Sequence, residues 1–119
     1  MKLKLKRVYE AASGEDGFRI LVDRLWPRGV TREAARIDLW LKDAAPSPEL
    51  RKWFNHESDK WDPFRASYLG ELMQHPEKVA LIREHAGKGR VTLVYGARDA
   101  EHNHALVLKE FLMSDKQVP

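Results

Sequence analysis

The chain has no cysteine. That excludes disulfides, a thiol nucleophile and any thiolate-held metal, and it leaves the redox compartment open. No apolar run approaches the roughly 20 residues that cross a bilayer, so no membrane partner is expected. Met1–Arg7 is basic but has no apolar stretch behind it, unlike a secretory leader, and a cytoplasmic location is the expectation. P-loop, dinucleotide and nucleophile-elbow fingerprints are missing, so no cofactor is expected. Gly87-Lys88-Gly89-Arg90 is basic and glycine-rich but lacks phosphate-loop spacing. Internal repeats, low-complexity tracts and linker-like stretches are absent as well. Residues 1–119 therefore read as one domain, large enough to bury a sizeable core, with a tail from Ser114 to Pro119 expected to fray.

What is present is the pattern of a small α/β domain. Over residues 2–9, Lys and Leu alternate up to Lys6 before Arg7-Val8-Tyr9, which predicts a strand with one face buried and one wet. Phe18 to Leu25 predicts a second strand, and its continuous Ile20-Leu21-Val22 suits burial on both faces. Arg90 to Tyr95 predicts a third. Between the second and third, Thr31 starts a short helix carrying Ala34, Ala35, Ile37, Leu39 and Trp40. Ser47-Pro48 starts another, with Leu50, Trp53 and Phe54 as its buried stripe. Asp62-Pro63 starts a third, burying Phe64, Tyr68, Leu69, Leu72 and Met73. A fourth carries Val79, Ile82, Arg83 and Ala86, and Gly87 ends it. Asp99 is placed to cap a last helix that buries Ala105, Leu108, Phe111 and Leu112. The spacing of the strands leaves room for crossovers and favours a parallel arrangement. The expected fold is a three-layer α/β domain with a mainly parallel sheet of about three to four strands flanked by helices.

The net charge of +3 is unevenly spread. Residues 1–32 hold eight basic and four acidic residues, against eight and ten in residues 33–87. The basic part contains the segment Asp23-Arg24-Leu25-Trp26-Pro27-Arg28-Gly29, directly after the second strand. After the third strand comes Tyr95-Gly96-Ala97-Arg98-Asp99-Ala100-Glu101-His102-Asn103-His104. Ligands of open α/β sheets bind beyond the carboxyl ends of the strands, so these two clusters point to one anion-binding crevice. Arg24, Arg28 and Arg98 offer guanidinium forks suited to phosphate or carboxylate. Trp26 and Tyr95 can wall the site, Asn103 can orient a ligand, and His104 is the candidate for proton transfer. The competing structural roles are equally concrete. Arg24 or Arg98 can pair with Asp23 or Asp99, and Trp26 can pack under the Pro27-Arg28-Gly29 turn. His102 and His104 lie two apart rather than four, so no metal site is expected. The other histidines, His56, His75 and His85, sit near helix ends and need no special role.

The same segments carry a family resemblance. Lys6-Arg7-Val8-Tyr9, Asp23-Arg24-Leu25-Trp26-Pro27-Arg28-Gly29, the Pro46–Phe54 stretch, Phe64-Arg65 with Tyr68-Leu69, and Asn103-His104-Ala105 resemble the domain of unknown function 488 (DUF488) family, in its short YeaO-like branch. The resemblance spans nearly the whole chain and implies a compact α/β fold with no assigned activity. Longer relatives carry a Cys after the third strand and a Cys-His pair in the next helix, where this chain has Tyr95 and Asn103-His104. Thiol chemistry is therefore not carried over. Three functions remain open: a crevice acting on a nucleotide or phosphorylated small molecule, a nucleic-acid-binding module, and a non-catalytic interaction protein. The low net charge, with no basic helical stripe, makes nucleic acid the weaker partner.

Overall fold

The two most apolar segments, Ile20-Leu21-Val22 and Val91–Tyr95, lie side by side in the middle of a parallel sheet. The computed structural model describes residues 2–114; beyond Ser114, the tail expected to fray lies outside the described residues. The strands are β1 (Leu3–Arg7), β2 (Phe18–Leu21), β3 (Leu39–Trp40) and β4 (Val91–Tyr95). Their order is β1-β4-β2-β3, with every pairing parallel. In the central register, Leu93 lies opposite Leu5 on one side and Ile20 on the other. A strand with neighbours on both edges and layers on both faces must be apolar throughout, and all five residues of β4 are buried.

Helices α2 (Pro48–Phe54), α3 (Trp61–Gln74), α4 (Ala80–Ala86) and α5 (His104–Met113) cover one face. Ile20, Val91 and Leu93 meet Phe54, Phe64, Tyr68, Leu72, Ile82 and Leu108 there in the main core. The opposite face holds a smaller cluster, in which Val8, Leu21 and Val94 pack with Ala35 of α1 (Arg32–Ala35) and with Trp26 and Trp40. The start of α2 follows its sequence signal. Ser47 accepts from the Leu50 N–H at 3.2 Å, and Pro48 occupies the first turn. Glu71 of α3 in turn takes both the N–H and the hydroxyl of Ser47, which ties the two helices together.

Several local expectations are corrected. Leu39 and Trp40 belong to a fourth strand, not to the first helix, because Arg36 turns left-handed at φ 49° and ends α1 after one turn. Ladder pairing of β2 stops at Leu21, although the Val22 N–H still reaches the Val94 carbonyl at 3.0 Å. Trp53 is 45% exposed and Met73 70% exposed, so the core stripes of α2 and α3 are narrower than expected. Asp99 does not cap the last helix. That helix begins at His104, because Asn103 has extended backbone and its own side chain makes the cap.

The face of β1 expected to be wet is roofed only in part: Lys4 stays exposed, while Lys6 is largely covered. The β1–β2 crossover, residues 8–17, passes over that side of β4 and carries no helix there. Its one-turn 3-10 segment, Gly14–Asp16, inserts the fully buried Asp16 among the polar side chains of three strands. Asp16 meets Arg19 of β2 at 2.6 Å and Lys6 of β1 at 3.1 Å, and Thr92 of β4 donates to its carbonyl at 2.7 Å. Arg19 also donates twice to the Ala35 carbonyl, at 3.0 and 2.7 Å, which fixes the end of α1.

Candidate functional site

All four strands run the same way, so their carboxyl ends share one edge. A cavity of about 340 Å³ opens there, at the lower end of the range for small-molecule sites. Three strand ends feed it, where the sequence pointed to two. Tyr9 follows β1, Asp23–Arg28 follow β2, and Gly96, Ala97 and His102–His104 follow β4. The far wall comes from Arg51, Phe54 and His56 at the end of α2 and from Phe64 of α3.

The buried end is a clamp between β2, β4 and α5. Asp23 accepts from the Gly96 N–H at 2.9 Å. A Cβ at Gly96 would stand 3.0 Å from the same carboxylate oxygen, so glycine permits the close approach. His104 Nε2 lies 3.0 Å from the Val22 carbonyl and 3.2 Å from Asp23 Oδ1. A carbonyl only accepts, so this nitrogen must carry a proton and donate it. Its N–H is directed at Val22, and Asp23 Oδ1 is left buried without a hydrogen bond. His104 thus pins the first turn of α5 to the end of β2.

Asn103 is also structural in its contacts. Its Oδ1 accepts from the Leu106 N–H at 3.1 Å, and its Nδ2 donates to the Asp99 carbonyl at 2.9 Å. Asn103→Ala removes both bonds and is expected to cost about 1–2 kcal/mol. Urea denaturation checks this, and an unchanged midpoint would refute the cap. Asp99 organises the preceding turn, accepting from the Glu101 and His102 N–H groups at 2.9 and 3.1 Å. The Glu101 N–H and His102 hold its carboxyl below the usual carboxylate value. His102 Nδ1 lies 2.9 Å from the other Asp99 oxygen, and its ring meets the Trp61 edge.

The arginines divide. Arg24 lines the cavity and donates to the Pro46 carbonyl at 3.3 Å, with Asp43 3.9 Å away. Its partner is therefore the loop before α2 and not Asp23, one oxygen of which accepts from Gly96. Arg28 and Arg51 also line the cavity, and neither guanidinium donates to another residue among those described. Arg98 is exposed and does not line the cavity, and it pairs with neither Asp23 nor Asp99. Trp26 lines the cavity while packing as the structural alternative required. Its ring N–H donates to the Val30 carbonyl at 2.7 Å, and Trp40 meets it edge-on at 5.4 Å. Tyr95 is buried in the main core and is not among the lining residues. Burial pushes its hydroxyl above the usual value.

The residue types at this edge can be compared with those of known proteins. A family model described as the "Inactive DUF488-N3 subclade" matches residues 2–118. The chain belongs to the DUF488 family. This DUF488 domain is 46% identical over 114 residues to the uncharacterized protein YeaO of Escherichia coli K12, covering 96% of this chain and 99% of the relative. It is 39% identical over 111 residues to the uncharacterized proteins Rv3073c of Mycobacterium tuberculosis H37Rv and Mb3100c of Mycobacterium bovis, covering 93% of each chain. No solved structure matches.

The sequence reading of this DUF488 domain missed Tyr9, Asp23, Arg51 and His56 as wall residues. Tyr9 carried a usable signal, since it follows a strand just as Asp23–Arg28 do. Arg51 and His56 carried none. Arg51 is carried there by α2 itself, and His56 arrives because Asn55 and His56 both turn left-handed, at φ 46° and 57°, after the last turn of that helix. Left-handed backbone is uncommon outside glycine, and Asn and His are among the residues enriched there.

Proposed function

We propose that this chain is a binding protein whose cavity takes a phosphorylated small molecule, nucleotides among them, without transforming it. The observation that carries the proposal is the pair Arg28 and Arg51. Both residues line one cavity, and neither guanidinium is matched by a protein acceptor among the described residues. Arg24 adds a third positive charge, while the single lining carboxylate, Asp23, accepts from the Gly96 N–H through one oxygen and lies 3.2 Å from His104 through the other. Guanidinium forks that find no partner in the protein suit the oxygens of a phosphate.

Two features favour binding over catalysis. The candidate proton-transfer residue, His104, has its Nε2 proton committed to the Val22 carbonyl, so that nitrogen is not a base. The matching family model is described as inactive, which agrees with a chain that has no thiol.

A thermal-shift screen against inorganic phosphate, sugar phosphates, nucleotides and short oligonucleotides tests the proposal. A ligand at about 100 times its Kd stabilises by about 2.7 kcal/mol. Arg28→Ala is expected to fold normally and to weaken the responding ligand about tenfold or more, the usual cost of a charged hydrogen bond. No shift with any phosphate-bearing compound, or equal shifts in both proteins, would overturn it. A response confined to oligonucleotides, falling steeply with salt, would move the function to nucleic acid.

A further inference from the structure

The exposed end of the cavity has an unusual wall. Tyr9 is 50% exposed and Leu25 is 67% exposed, and both line the cavity beside Arg28. Single exposed apolar side chains are ordinary; an exposed ring held rigid from both sides is not. The Tyr9 hydroxyl donates to the Arg28 carbonyl at 2.9 Å. The Arg7 guanidinium lies over the ring, 4.9 Å from its centroid, and Arg7 is itself fixed by donating Nε–H to the Ala97 carbonyl at 2.8 Å. Tyr9 thus keeps one orientation while leaving half of its surface open. Fixing an aromatic surface in advance removes the entropy cost of ordering it on binding.

We propose that the ligand is a nucleotide, with its base laid against Tyr9 and Leu25 and its phosphate on Arg28 and Arg51. The assignment rests on the phosphate-binding role proposed above and adds the base. A sugar phosphate without a base would use the arginines but leave this apolar wall uncovered. Charge orders the two ends of the site. Asp23 and His104 occupy the buried end, and the Asp23 carboxylate repels a phosphate there while accepting from hydroxyls. The phosphate is thereby kept toward the exposed Arg28 and the half-buried Arg51, next to the Arg28 backbone that Tyr9 holds. Base–aromatic stacking tolerates any base, because every base has a π-face, so Tyr9 selects for the presence of a base and not for its identity.

The test is calorimetric titration with purine and pyrimidine nucleoside 5′-monophosphates, ribose 5-phosphate and inorganic phosphate. It is run on the wild type, Tyr9→Phe, Tyr9→Leu and Arg28→Ala. Nucleoside monophosphates are expected to bind about fivefold or more tighter than ribose 5-phosphate. Tyr9→Phe, which keeps the ring but loses its tether to Arg28, narrows that gap, Tyr9→Leu closes it, and Arg28→Ala weakens both ligands alike. Equal affinity of the wild type for ribose 5-phosphate and the nucleotides would overturn the base assignment and leave the phosphate site standing. A gap that survives in Tyr9→Leu would overturn the role of Tyr9. No binding by any of these compounds would overturn both proposals together.

Discussion

Asp16→Ala is expected to lower the unfolding free energy by about 3–5 kcal/mol, the range seen when one partner of a buried ion pair is removed. The side chain of Asp16 is fully buried and that of Arg19 is 4% exposed, so the substitution strands a guanidinium under the crossover. It also removes the acceptor of Lys6 and of the Ser13 N–H, which closes the capping box of the Gly14–Asp16 turn. Equilibrium denaturation in urea measures the loss, and a change below about 1 kcal/mol would show that the network holds nothing together. The same carboxyl has a pH signature. Burial acts to raise its pKa, but the Ser13 N–H, Lys6 and Arg19 outweigh burial and hold it at about 2. A lowered folded-state pKa stabilises above the unfolded value near 4, and that stability drains away as the pH falls toward 2. It amounts to about 2 kcal/mol. Asp16→Asn should lack this acid-side decline, so its melting curve and that of the wild type should converge as the pH is lowered from 5 to 2.

Gly17→Ala is expected to cost about 3 kcal/mol or more. Gly17 joins the crossover to β2 at φ 69°, a region that L side chains rarely adopt. A Cβ there would also collide with the backbone carbonyl and Cβ of Arg90. That carbonyl accepts from the Phe18 N–H at 3.0 Å and so starts the β2–β4 pairing. Neither side can retreat without loosening the ladder. Gly29 is the control: its φ is 78°, but a Cβ there meets open space. Gly29→Ala should therefore cost only the conformational part, about 1–2 kcal/mol. Thermal melts of the two variants separate backbone strain from collision, and equal melting temperatures would remove Arg90 from the account.

These two residues also mark where the sequence was readable and where it was not. Ser13-Gly14-Glu15-Asp16-Gly17 was legible as a polar turn, and a polar turn is what composition alone can say. That Asp16 would be buried depends on Lys4, Lys6, Arg19 and Thr92 arriving from three strands, which no local pattern records. Period and capping signals located the three longer strands and the starts of α1 and α2. They failed at Leu39-Trp40, where a helical pattern continued past a left-handed Arg36. They failed again at Asp99, because two Asx-type residues four apart offered the same cap signal and Asn103 makes the cap. Arg24, Arg28, Trp26, Asn103 and His104 line the cavity, and their residue types and positions beyond two strands are the signals that single them out. The wall supplied by α2 was invisible, since it depends on how a helix lies across the sheet.

The position of β4 bears on how the chain comes off the ribosome. β1 and β2 are separated by β4, and their hydrogen-bonding partner is not made until residues 91–95 have emerged. A nascent chain of the first 90 residues therefore carries two strands with open edges on either side of an empty slot. Pairings of such large sequence separation form slowly, and unpaired edges invite strands from other chains. Lys2, just before the first strand, and Lys4 and Lys6 within it place charge there throughout the interval. Charge spaced in this way along an open strand disfavours pairing with other chains; in the finished molecule, Lys4 and Lys6 turn to Asp16.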